Sequence, residues 1–380
     1  MHLNSKLPDV GTTIFTVMSQ LAIQYNAINL SQGFPDYEVS SELVGLVNKY
    51  MLEGRNQYAA MAGLMELREI IAFKQEMLHR CSYNPDTEIT ITAGGTQALF
   101  TAMACVIQTG DEVIIFEPAY DCYAPTVTLL GGLVKALELS PPDYKINWKE
   151  VRELVNPKTR MIILNSPNNP TGITLTEEDM TELISLTRDT NILIISDEVY
   201  EHLIYDGKDH LSVSRYEALK ERSFITASFG KMLHTTGWKV GYCLAPEWLM
   251  KEFRKVHQFQ VFSVNTPVQY AIADFLKDEN NYLELKQFFQ VKKDFFSNLL
   301  INTRFDILPC YGSYFLSVQY SRISDEKDID LARRLTTDFG VASIPVSAFY
   351  SKGTDHHVLR FCFAKRQETL EKAVHRLSGV

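Results

Sequence analysis

Short apolar runs alternate with helical stretches along the middle of the chain. Between about residue 60 and residue 275, six runs rich in β-branched and other apolar residues are separated by segments with helical spacing of apolar positions. The predicted strands cover residues 88–93, 112–116, 160–165, 191–196, 223–227 and 240–244. Continuous apolar strands separated by helices are typical of a sheet that is buried on both faces. We therefore expect an α/β unit with a mostly parallel sheet.

The pattern changes after residue 275. A long helical stretch covers residues 278–300, and shorter apolar runs follow at residues 305–308, 314–318, 341–344 and 358–363, with helices between them. This order predicts an α+β unit. We expect an N-terminal arm at residues 1–40 that packs with a small C-terminal domain at residues 276–380, and a large α/β domain at residues 41–275.

Composition and charge narrow the classes of function. The 380 residues are 46% hydrophobic, enough to bury two cores, and the net charge of −9 favours neither nucleic acid nor an anionic membrane as a partner. The N-terminus lacks the apolar core of a signal peptide, and no apolar stretch has the length of a membrane span, so we expect a cytoplasmic protein. The six cysteines and nine histidines lack the spacings of metal ligands, which predicts no metal and no disulfide.

Residues suited to binding follow the first two predicted strands. Ligands of open α/β sheets bind beyond the carboxyl ends of the strands. Gly95, Thr96 and Gln97 follow the first strand, where backbone N–H groups at the start of a helix can bind a phosphate, although such a turn is also common as structure alone. Tyr120 follows the second strand and could stack on a flat ring or simply belong to the core.

The next two strands end in an amide and a carboxylate. Asn169 lies in a turn at residues 165–172, which its turn residues alone would explain, but its amide is also placed to donate to a phenolate and a carboxylate. Asp197 follows four apolar residues and needs a cationic partner, either an ordinary salt bridge or the protonated nitrogen of a pyridine ring. Tyr200, three residues later, would reach the phenolic oxygen of the same ring.

Lys231 follows the fifth strand at once and has a second lysine, Lys239, eight residues later. A lysine that is held still and desolvated can bond covalently to an aldehyde, and Ser228 and Lys239 are suited to bind an anion on the same molecule. By itself, Ser-x-x-Lys is more often a solvated loop. Together, the donors, aromatic ring, amide, carboxylate and lysine on successive strand ends predict pyridoxal 5′-phosphate as the cofactor.

Several segments resemble the fold type I, pyridoxal-phosphate-dependent aminotransferases, in particular the subgroup of kynurenine aminotransferases and bacterial methionine aminotransferases. They are Asn29-Leu-Ser-Gln-Gly33, Asn56-Gln-Tyr58, Asn165-Ser-Pro-Asn-Asn-Pro-Thr-Gly172, Ser196-Asp-Glu-Val-Tyr-Glu-His202 and the stretch at residues 228–242. The similarity extends from about residue 11 to residue 365, nearly the whole chain. Two positions depart from the kynurenine enzymes: Tyr120 replaces a phenylalanine, and Thr96-Gln97 replaces Tyr-Gly.

The resemblance implies a role for each matching residue. Lys231 would bind the cofactor covalently, and Arg360 would bind the substrate carboxylate, although the alternating pattern of its strand alone predicts an arginine that faces solvent. The other expected cofactor ligands are the backbone amides of Gly95, Thr96 and Gln97 with Ser228 and Lys239 at the phosphate, Tyr120 on the ring, Asp197 at its nitrogen, and Asn169 and Tyr200 at its oxygen. Gly33 and Asn169 would also contact the substrate, and Tyr58 of the partner subunit would reach the phosphate in a homodimer.

The implied activity is a ping-pong transfer of an amino group to a 2-oxo acid. The expected donors are methionine and aromatic amino acids, with kynurenine and glutamine as further donors. Aspartate and glutamate are disfavoured as donors, because no motif marks a second arginine that would bind an acidic side chain. Phe15, Tyr37, Phe262 and Phe349 are candidate apolar walls or ordinary core residues. The alternative on the same fold is a cysteine-S-conjugate β-lyase. A cofactor-sensing regulator would need a DNA-binding segment, and the N-terminus shows no basic helix-turn-helix.

Overall fold

The computed structural model describes residues 4–380, so the first three residues of the predicted arm lie outside the described range. The strands are β1 (Ile28–Asn29), β2 (Ile89–Thr92), β3 (Glu112–Glu117), β4 (Leu133–Glu138), β5 (Thr159–Asn165), β6 (Leu193–Asp197), β7 (Ser223–Ser228), β8 (Gly241–Leu244), β9 (Asp306–Ile307), β10 (Phe315–Gln319), β11 (Val341–Ala342), β12 (Ile344–Pro345) and β13 (Val358–Cys362).

Helices connect most of these strands. The α-helices are α1 (Ile14–Gln24), α2 (Ser41–Leu52), α3 (Met65–His79), α4 (Gly95–Ala104), α5 (Tyr123–Leu129), α6 (Trp148–Leu154), α7 (Glu177–Thr187), α8 (Glu217–Lys220), α9 (Phe229–Met232), α10 (Glu247–Gln260), α11 (Thr266–Phe275), α12 (Asn280–Leu283), α13 (Leu285–Leu300), α14 (Asp328–Thr337) and α15 (Gln367–Leu377). Short 3₁₀ helices lie at Val213–Arg215, Thr236–Trp238 and Val346–Phe349.

The central sheet has seven strands in the order β2-β8-β7-β6-β5-β3-β4. The strand β8 runs antiparallel to both of its neighbours, and the other adjacent pairs are parallel. All six strands predicted from the apolar runs are present, with ends within two residues of the predicted ones. The predicted fold class, α/β with a mostly parallel central sheet, is confirmed.

Both faces of this sheet are buried, which explains the unbroken apolar runs. On β6, Ile194 belongs to a core cluster on one face, whereas Leu193 and Ile195 belong to a second cluster on the other. Full burial of one such side chain stabilises the fold by about 1.5–3 kcal/mol. Successive residues of a strand point to opposite faces, so a doubly covered strand has buried and mostly apolar residues at successive positions until the strand ends. The polar residues that follow are therefore placed together at the carboxyl edge.

The edge strand β4 is missing from the sequence prediction. Its Leu133 is half exposed and Lys135 is only partly buried, so the segment has no continuous apolar run. An edge strand has one free side and needs less burial than a central strand, and this is why apolar pattern alone does not identify it.

The C-terminal part contains a four-stranded antiparallel sheet in the order β12-β13-β10-β9. The predicted run at residues 341–344 is divided into β11 and β12, which belong to different sheets, and the helix predicted at residues 278–300 is divided into α12 and α13. In the N-terminal segment, β1 pairs in parallel with β11, and Met18 of α1 lies in the same core cluster as Phe361 of β13. These contacts support the proposed packing of the arm, and the division into three parts stays a prediction.

A buried ion pair connects helix α3 to the segment after β6. The Lys74 ammonium donates to Glu201 Oε1 at 2.5 Å and to the Tyr242 hydroxyl at 2.7 Å, and both charged side chains are buried. Burial alone would raise the pKa of Glu201, but the charge of Lys74 helps to bring this pKa well below its usual value. Glu201 lies next to Tyr200 in the chain. The pair therefore holds the backbone that follows β6.

We predict that Lys74→Met destabilises the protein by about 3–5 kcal/mol, because it leaves the Glu201 carboxylate buried without a counter-ion. Urea unfolding of the purified protein measures the loss. The matched control is Lys49→Met, since Lys49 lies 3.4 Å from Asp274 with a side chain that is 48% exposed, and its variant should unfold close to the parent. Equal midpoints for the two variants would contradict the prediction.

Candidate active site

The carboxyl ends of the central strands border a cavity with about 730 Å³ of empty space, including its open mouth. Nine predicted site residues line the cavity: Gly95, Thr96, Tyr120, Asn169, Asp197, Tyr200, Ser228, Lys231 and Lys239. Residues that are far apart in the sequence are thus brought to one place.

One end of the cavity is suited to an anion. Helix α4 begins at Gly95, and its N-cap Gly94 has a φ of 84° and no side chain to bond the first N–H groups. Ser228 lines the same end, and so does Lys239, which has a left-handed backbone with a φ of 55°. A side-chain carbon at Gly94 would lie 3.4 Å from Lys239 Nζ. The free N–H groups, hydroxyl and ammonium suit a phosphate.

Gly241 at the start of β8 makes this turn possible and was missed in the sequence analysis. A Cβ at this position would lie 2.5 Å from the Ala227 carbonyl oxygen and 3.0 Å from Gly95 N. Only glycine allows the backbone of β8 to lie this close to the turn before α4. The sequence feature that could have pointed to Gly241 is its position, two residues after Lys239.

The side chain of Gln97 points to other protein groups and does not line the cavity. Its Oε1 accepts from Ala93 N at 2.9 Å, and its Nε2 donates to Thr101 Oγ1 at 2.6 Å. Gln97 therefore fastens the first turn of α4 to the end of β2. The contact of its backbone amide with a phosphate stays a prediction.

Asp197 is a buried carboxylate without a full counter-ion. Its side chain accepts from the Tyr123 hydroxyl at 2.5 Å and from Val199 N at 3.3 Å, and the residue is 3% exposed. Burial raises the pKa of Asp197 to about 6, although both hydrogen bonds and the Lys231 charge oppose this. A carboxylate in this environment favours a cationic ligand such as a protonated ring nitrogen. Tyr123 was not assigned a role from sequence, since nothing local shows that it reaches across to β6.

Lys231 extends from the short helix α9 toward the N-terminal segment. Its Nζ donates to the Tyr314 hydroxyl oxygen at 3.0 Å and to the Gly33 carbonyl at 3.4 Å. Burial lowers the pKa of Lys231 to about 8, and the charges of Arg360 and Lys239 act in the same direction. About a tenth of this amine is therefore neutral and nucleophilic at pH 7, far more than of a lysine in water, and a covalent handle for an aldehyde needs such a neutral amine. Tyr314 is a third residue that sequence reasoning missed.

Arg360 is fully buried, at 0% exposure, so the interpretation of its strand pattern as an arginine facing solvent is wrong. Its strand β13 lies between β12 and β10, and all five of its residues are buried. The guanidinium donates to Asn169 Oδ1 at 2.7 Å and to the Ser31 carbonyl at 2.8 Å, while its Nε has no acceptor in the described structure. A buried cation with an unused N–H is suited to bind a carboxylate.

Of the remaining predicted site residues, Phe15 and Phe349 lie beside Arg360, whereas Tyr37, Phe262 and Tyr58 have other neighbours. Phe15 and Phe349 contact each other at 5.8 Å between ring centroids, and both rings lie beside the Arg360 guanidinium, at 5.3 and 5.4 Å. Tyr37 packs against His234, with ring centroids 4.8 Å apart. Phe262 is half exposed and contacts Tyr58, which is 81% exposed on this chain and does not line the cavity.

Within residues 4–380, no helix combines the length and apolar composition needed to cross a bilayer. Nor does this range bring together three or more His, Cys, Asp or Glu side chains in a group that could bind a metal ion. The six cysteines are free thiols.

The fold and the cavity together define a class of enzyme. A lysine amine and a buried carboxylate face one cavity, next to an anion site at a helix N-terminus, at the carboxyl edge of a mostly parallel sheet. These donors fit pyridoxal 5′-phosphate, which has an aldehyde, a ring nitrogen and a phosphate. Residues 25–377 match the family described as aminotransferase class I and II. The chain belongs to this family and is a pyridoxal-phosphate-dependent aminotransferase of fold type I.

Characterised relatives agree with this assignment. The chain is 46% identical to the methionine aminotransferase of Escherichia coli K12, over 98% of this chain and 97% of the relative. It is 33% identical to the kynurenine–oxoglutarate transaminase of Dictyostelium discoideum, over 96% of this chain and 93% of the relative. The crystal structure of YbdL from Escherichia coli, reported with a methionine aminotransferase function, matches with a TM-score of 0.98 at 46% identity and covers 100% of both chains.

We predict that Asp197→Asn stabilises the cofactor-free protein above about pH 6 and weakens cofactor binding. The pKa of Asp197 is raised from 3.8 in the unfolded chain to about 6 in the folded protein, so the folded state binds more protons between these values. Its contribution to stability therefore falls as pH rises through this window, and the ionised carboxylate costs about 2–3 kcal/mol above it.

Urea unfolding of the cofactor-free variant and parent at about pH 5 and about pH 8 measures this difference. The variant should gain about 3 kcal/mol over the parent at about pH 8 and about half of that at about pH 5, because the loss is spread over the window between the two pKa values of Asp197, 3.8 and about 6. Asp274→Asn is the control of opposite sign, because hydrogen bonds from Lys277 and Tyr50 lower the pKa of Asp274. If Asp197→Asn loses stability equally at both pH values, the account of Asp197 is incorrect.

Proposed function

We propose that this aminotransferase transfers the amino group of methionine or of an aromatic amino acid to a 2-oxo acid, with kynurenine and glutamine as further donors. The observation that carries the proposal is the position of Arg360, a buried cation surrounded by phenylalanine rings, at 3.8 Å from the ring centroid of Phe315 and within 5.4 Å of Phe15 and Phe349. The cation suits the carboxylate that all amino acids share. The rings suit an apolar side chain.

The cavity also offers a group for each part of the cofactor. The proposed ligands are the backbone amides of Gly95, Thr96 and Gln97 with Ser228 and Lys239 for the phosphate, Tyr120 for the ring face, Asp197 for the ring nitrogen, Asn169 and Tyr200 for the ring oxygen, and Lys231 for the aldehyde. When bound, the cofactor supplies an aldehyde that takes up the amino group and a ring that accepts electrons from Cα of the donor.

The protein's own groups perform the remaining work. Asp197 stays ionised next to a cationic ring nitrogen and keeps it protonated. Burial raises the pKa of Tyr200, so its hydroxyl stays protonated and can donate to the ring oxygen. Lys231, once its amine is free, takes the proton from Cα of the donor and returns it later in the same half-reaction. Arg360 holds the α-carboxylate, and the Gly33 carbonyl, 3.4 Å from Lys231 Nζ, closes the cavity from the N-terminal side.

Acidic donors are disfavoured by the surroundings of Arg360. The guanidinium already donates to Asn169 and Ser31, so an α-carboxylate must share or replace these acceptors. A second carboxylate placed among Phe15, Phe315 and Phe349 would be desolvated without a second cation, which is costly. Methionine and kynurenine also appear in the names of the two relatives described above, which supports the same preference.

We predict that kcat/KM for methionine, phenylalanine and kynurenine exceeds that for aspartate at least about tenfold, because a site with no partner for a second carboxylate discriminates strongly against it. The absorbance change of the bound cofactor, followed for each donor with one oxo acid, measures this order.

We predict that Lys231→Ala lowers the rate of transamination at least about 1,000-fold, since one residue supplies both the covalent bond and the proton transfer.

The control for the lysine variant is Lys292→Ala, whose amine lies over the ring of Tyr37 and should keep the parental rate. Aspartate ahead of the apolar donors would overturn the proposed substrate class. A near-parental rate for Lys231→Ala would overturn the assigned mechanism. Release of pyruvate and ammonia from a cysteine conjugate without any oxo acid would favour the β-lyase alternative.

We further propose that the enzyme is a cytoplasmic homodimer. Tyr58, Leu52 and Phe259 are large apolar side chains with 81%, 80% and 88% exposure, and Tyr58 also contacts the half-exposed Phe262. Large exposed apolar side chains of this kind support a protein interface that covers them. Tyr58 of the partner subunit would then complete the phosphate site. The cytoplasmic location is supported by the six free cysteines, which fit a reducing compartment.

We predict that two inactive variants restore activity when their subunits are mixed. In a heterodimer of Tyr58→Ala with Lys231→Ala, one site combines an intact Lys231 with an intact Tyr58 from the other subunit, while the second site lacks both. Random assortment gives half heterodimers with one working site each, so a refolded equal mixture should reach about a quarter of parental activity. Mixing Lys231→Ala with Asp197→Asn is the control, because both residues belong to the same subunit's site. No recovery in the test mixture would contradict the shared site.

A further inference from the structure

Tyr314, the residue before β10, lies beside Lys231 and has no part in the function proposed above. Its hydroxyl is 3.0 Å from Lys231 Nζ and also donates to the Gly33 carbonyl. The residue is buried, and its ring contacts those of Tyr200 and Phe315, with centroids 5.2 and 4.9 Å apart. Packing on both sides fixes the hydroxyl in place.

The direction of these hydrogen bonds determines how the amine is held. A tyrosine hydroxyl has a single proton, and here this proton is donated to the Gly33 carbonyl. The oxygen can therefore only accept from Lys231. A neutral amine that meets an acceptor must present an N–H to it, and so its lone pair points elsewhere. The open side of Lys231 is the cavity, where Asp197 and Tyr200 also lie.

We propose that Tyr314 is a positioning residue that holds the free amine of Lys231 with its lone pair directed into the cavity. The inference rests on the proposed role of Lys231 in proton transfer. During each half-reaction this amine is released from its covalent bond and must be ready to accept a proton from Cα. An acceptor-only hydroxyl at 3.0 Å restricts the rotation of the released amine and prevents a bond that would occupy its lone pair.

Other charged and titratable groups also face Lys231. Its surroundings include Asp197 at the end of β6, Lys239 before β8, and Arg360 and Cys362 on β13, in addition to the ring of Tyr200. Burial, Arg360 and Lys239 lower the pKa of Lys231, whereas Cys362 and Asp197 raise it. The Tyr314 oxygen accepts from the amine and so favours its protonated form. Removal of this oxygen alone should lower the pKa of Lys231, with the other groups unchanged.

The test compares Tyr314→Phe with Tyr320→Phe. Tyr320 is a buried tyrosine of the same core cluster, and its hydroxyl donates to the Glu326 carbonyl at 2.8 Å, so its variant loses a similar bond away from Lys231. Trace acetylation of cofactor-free protein with acetic anhydride over a range of pH, followed by peptide mass spectrometry, reports the titration of Lys231. Steady-state kinetics of the cofactor-loaded enzymes report catalysis.

For Tyr314→Phe we expect the midpoint of Lys231 acetylation to fall by about 0.5–1 pH unit and kcat to fall about tenfold, with KM for the donor within about twofold of the parent. Tyr320→Phe should leave both unchanged. An unchanged midpoint for Tyr314→Phe, or an equal shift in the two variants, overturns the proposal.

A second variant keeps the proposal testable if Tyr314→Phe does not fold. A Cβ in Gly33→Ala would lie 2.7 Å from the Phe315 ring. The variant therefore moves either this ring, which packs on Tyr314, or the Gly33 carbonyl, which accepts from both Tyr314 and Lys231. Its acetylation midpoint should shift in the same direction, and no shift overturns the proposal. Because acetylation needs no cofactor or substrate, failure of the proposed aminotransferase reaction would appear in the parent enzyme's kinetics and is distinguishable from failure of the role of Tyr314.

Discussion

Three charges are buried in or next to one cavity without complete pairing, and much of the structure serves to keep them there. Asp197 and Lys231 line the cavity, and Arg360 lies behind its wall, where it donates to Asn169. Asp197 has a tyrosine and a backbone N–H as its partners, Lys231 has a hydroxyl and a carbonyl, and Arg360 keeps one N–H free. Each of these charges would be more stable in water. Because these charges are desolvated and incompletely paired, the site favours ligand groups of opposite charge, and its binding properties depend on this.

The rest of the fold prevents these groups from reaching water or one another. The central strands are covered on both faces, so their carboxyl ends are held by a packed core. The buried pair of Lys74 and Glu201 holds the segment that carries Tyr200, and Arg360 bonds both the N-terminal segment at Ser31 and the turn after β5 at Asn169. Segments from widely separated positions of the chain therefore meet at the site.

The sequence predicted what depends on local pattern. Strands buried on both faces have unbroken apolar runs, so their ends could be located, and the residues Asn169, Asp197 and Lys231 were expected at the carboxyl edge on that ground. The same reasoning did not find the edge strand β4, whose exposed side needs no apolar residues.

What could not be predicted depends on contacts between distant segments. Tyr123 and Tyr314 are separated from the groups they bond by 74 and 83 residues, and an ordinary core tyrosine has the same sequence pattern. Arg360 is the clearest example. Its strand alternates as an exposed strand does, yet the strand is central in its sheet and is covered by the N-terminal segment and by Phe15 and Phe349. Only similarity to a family indicated a buried arginine, because the stabilising partners of a buried charge are tertiary and leave no periodic trace in the chain.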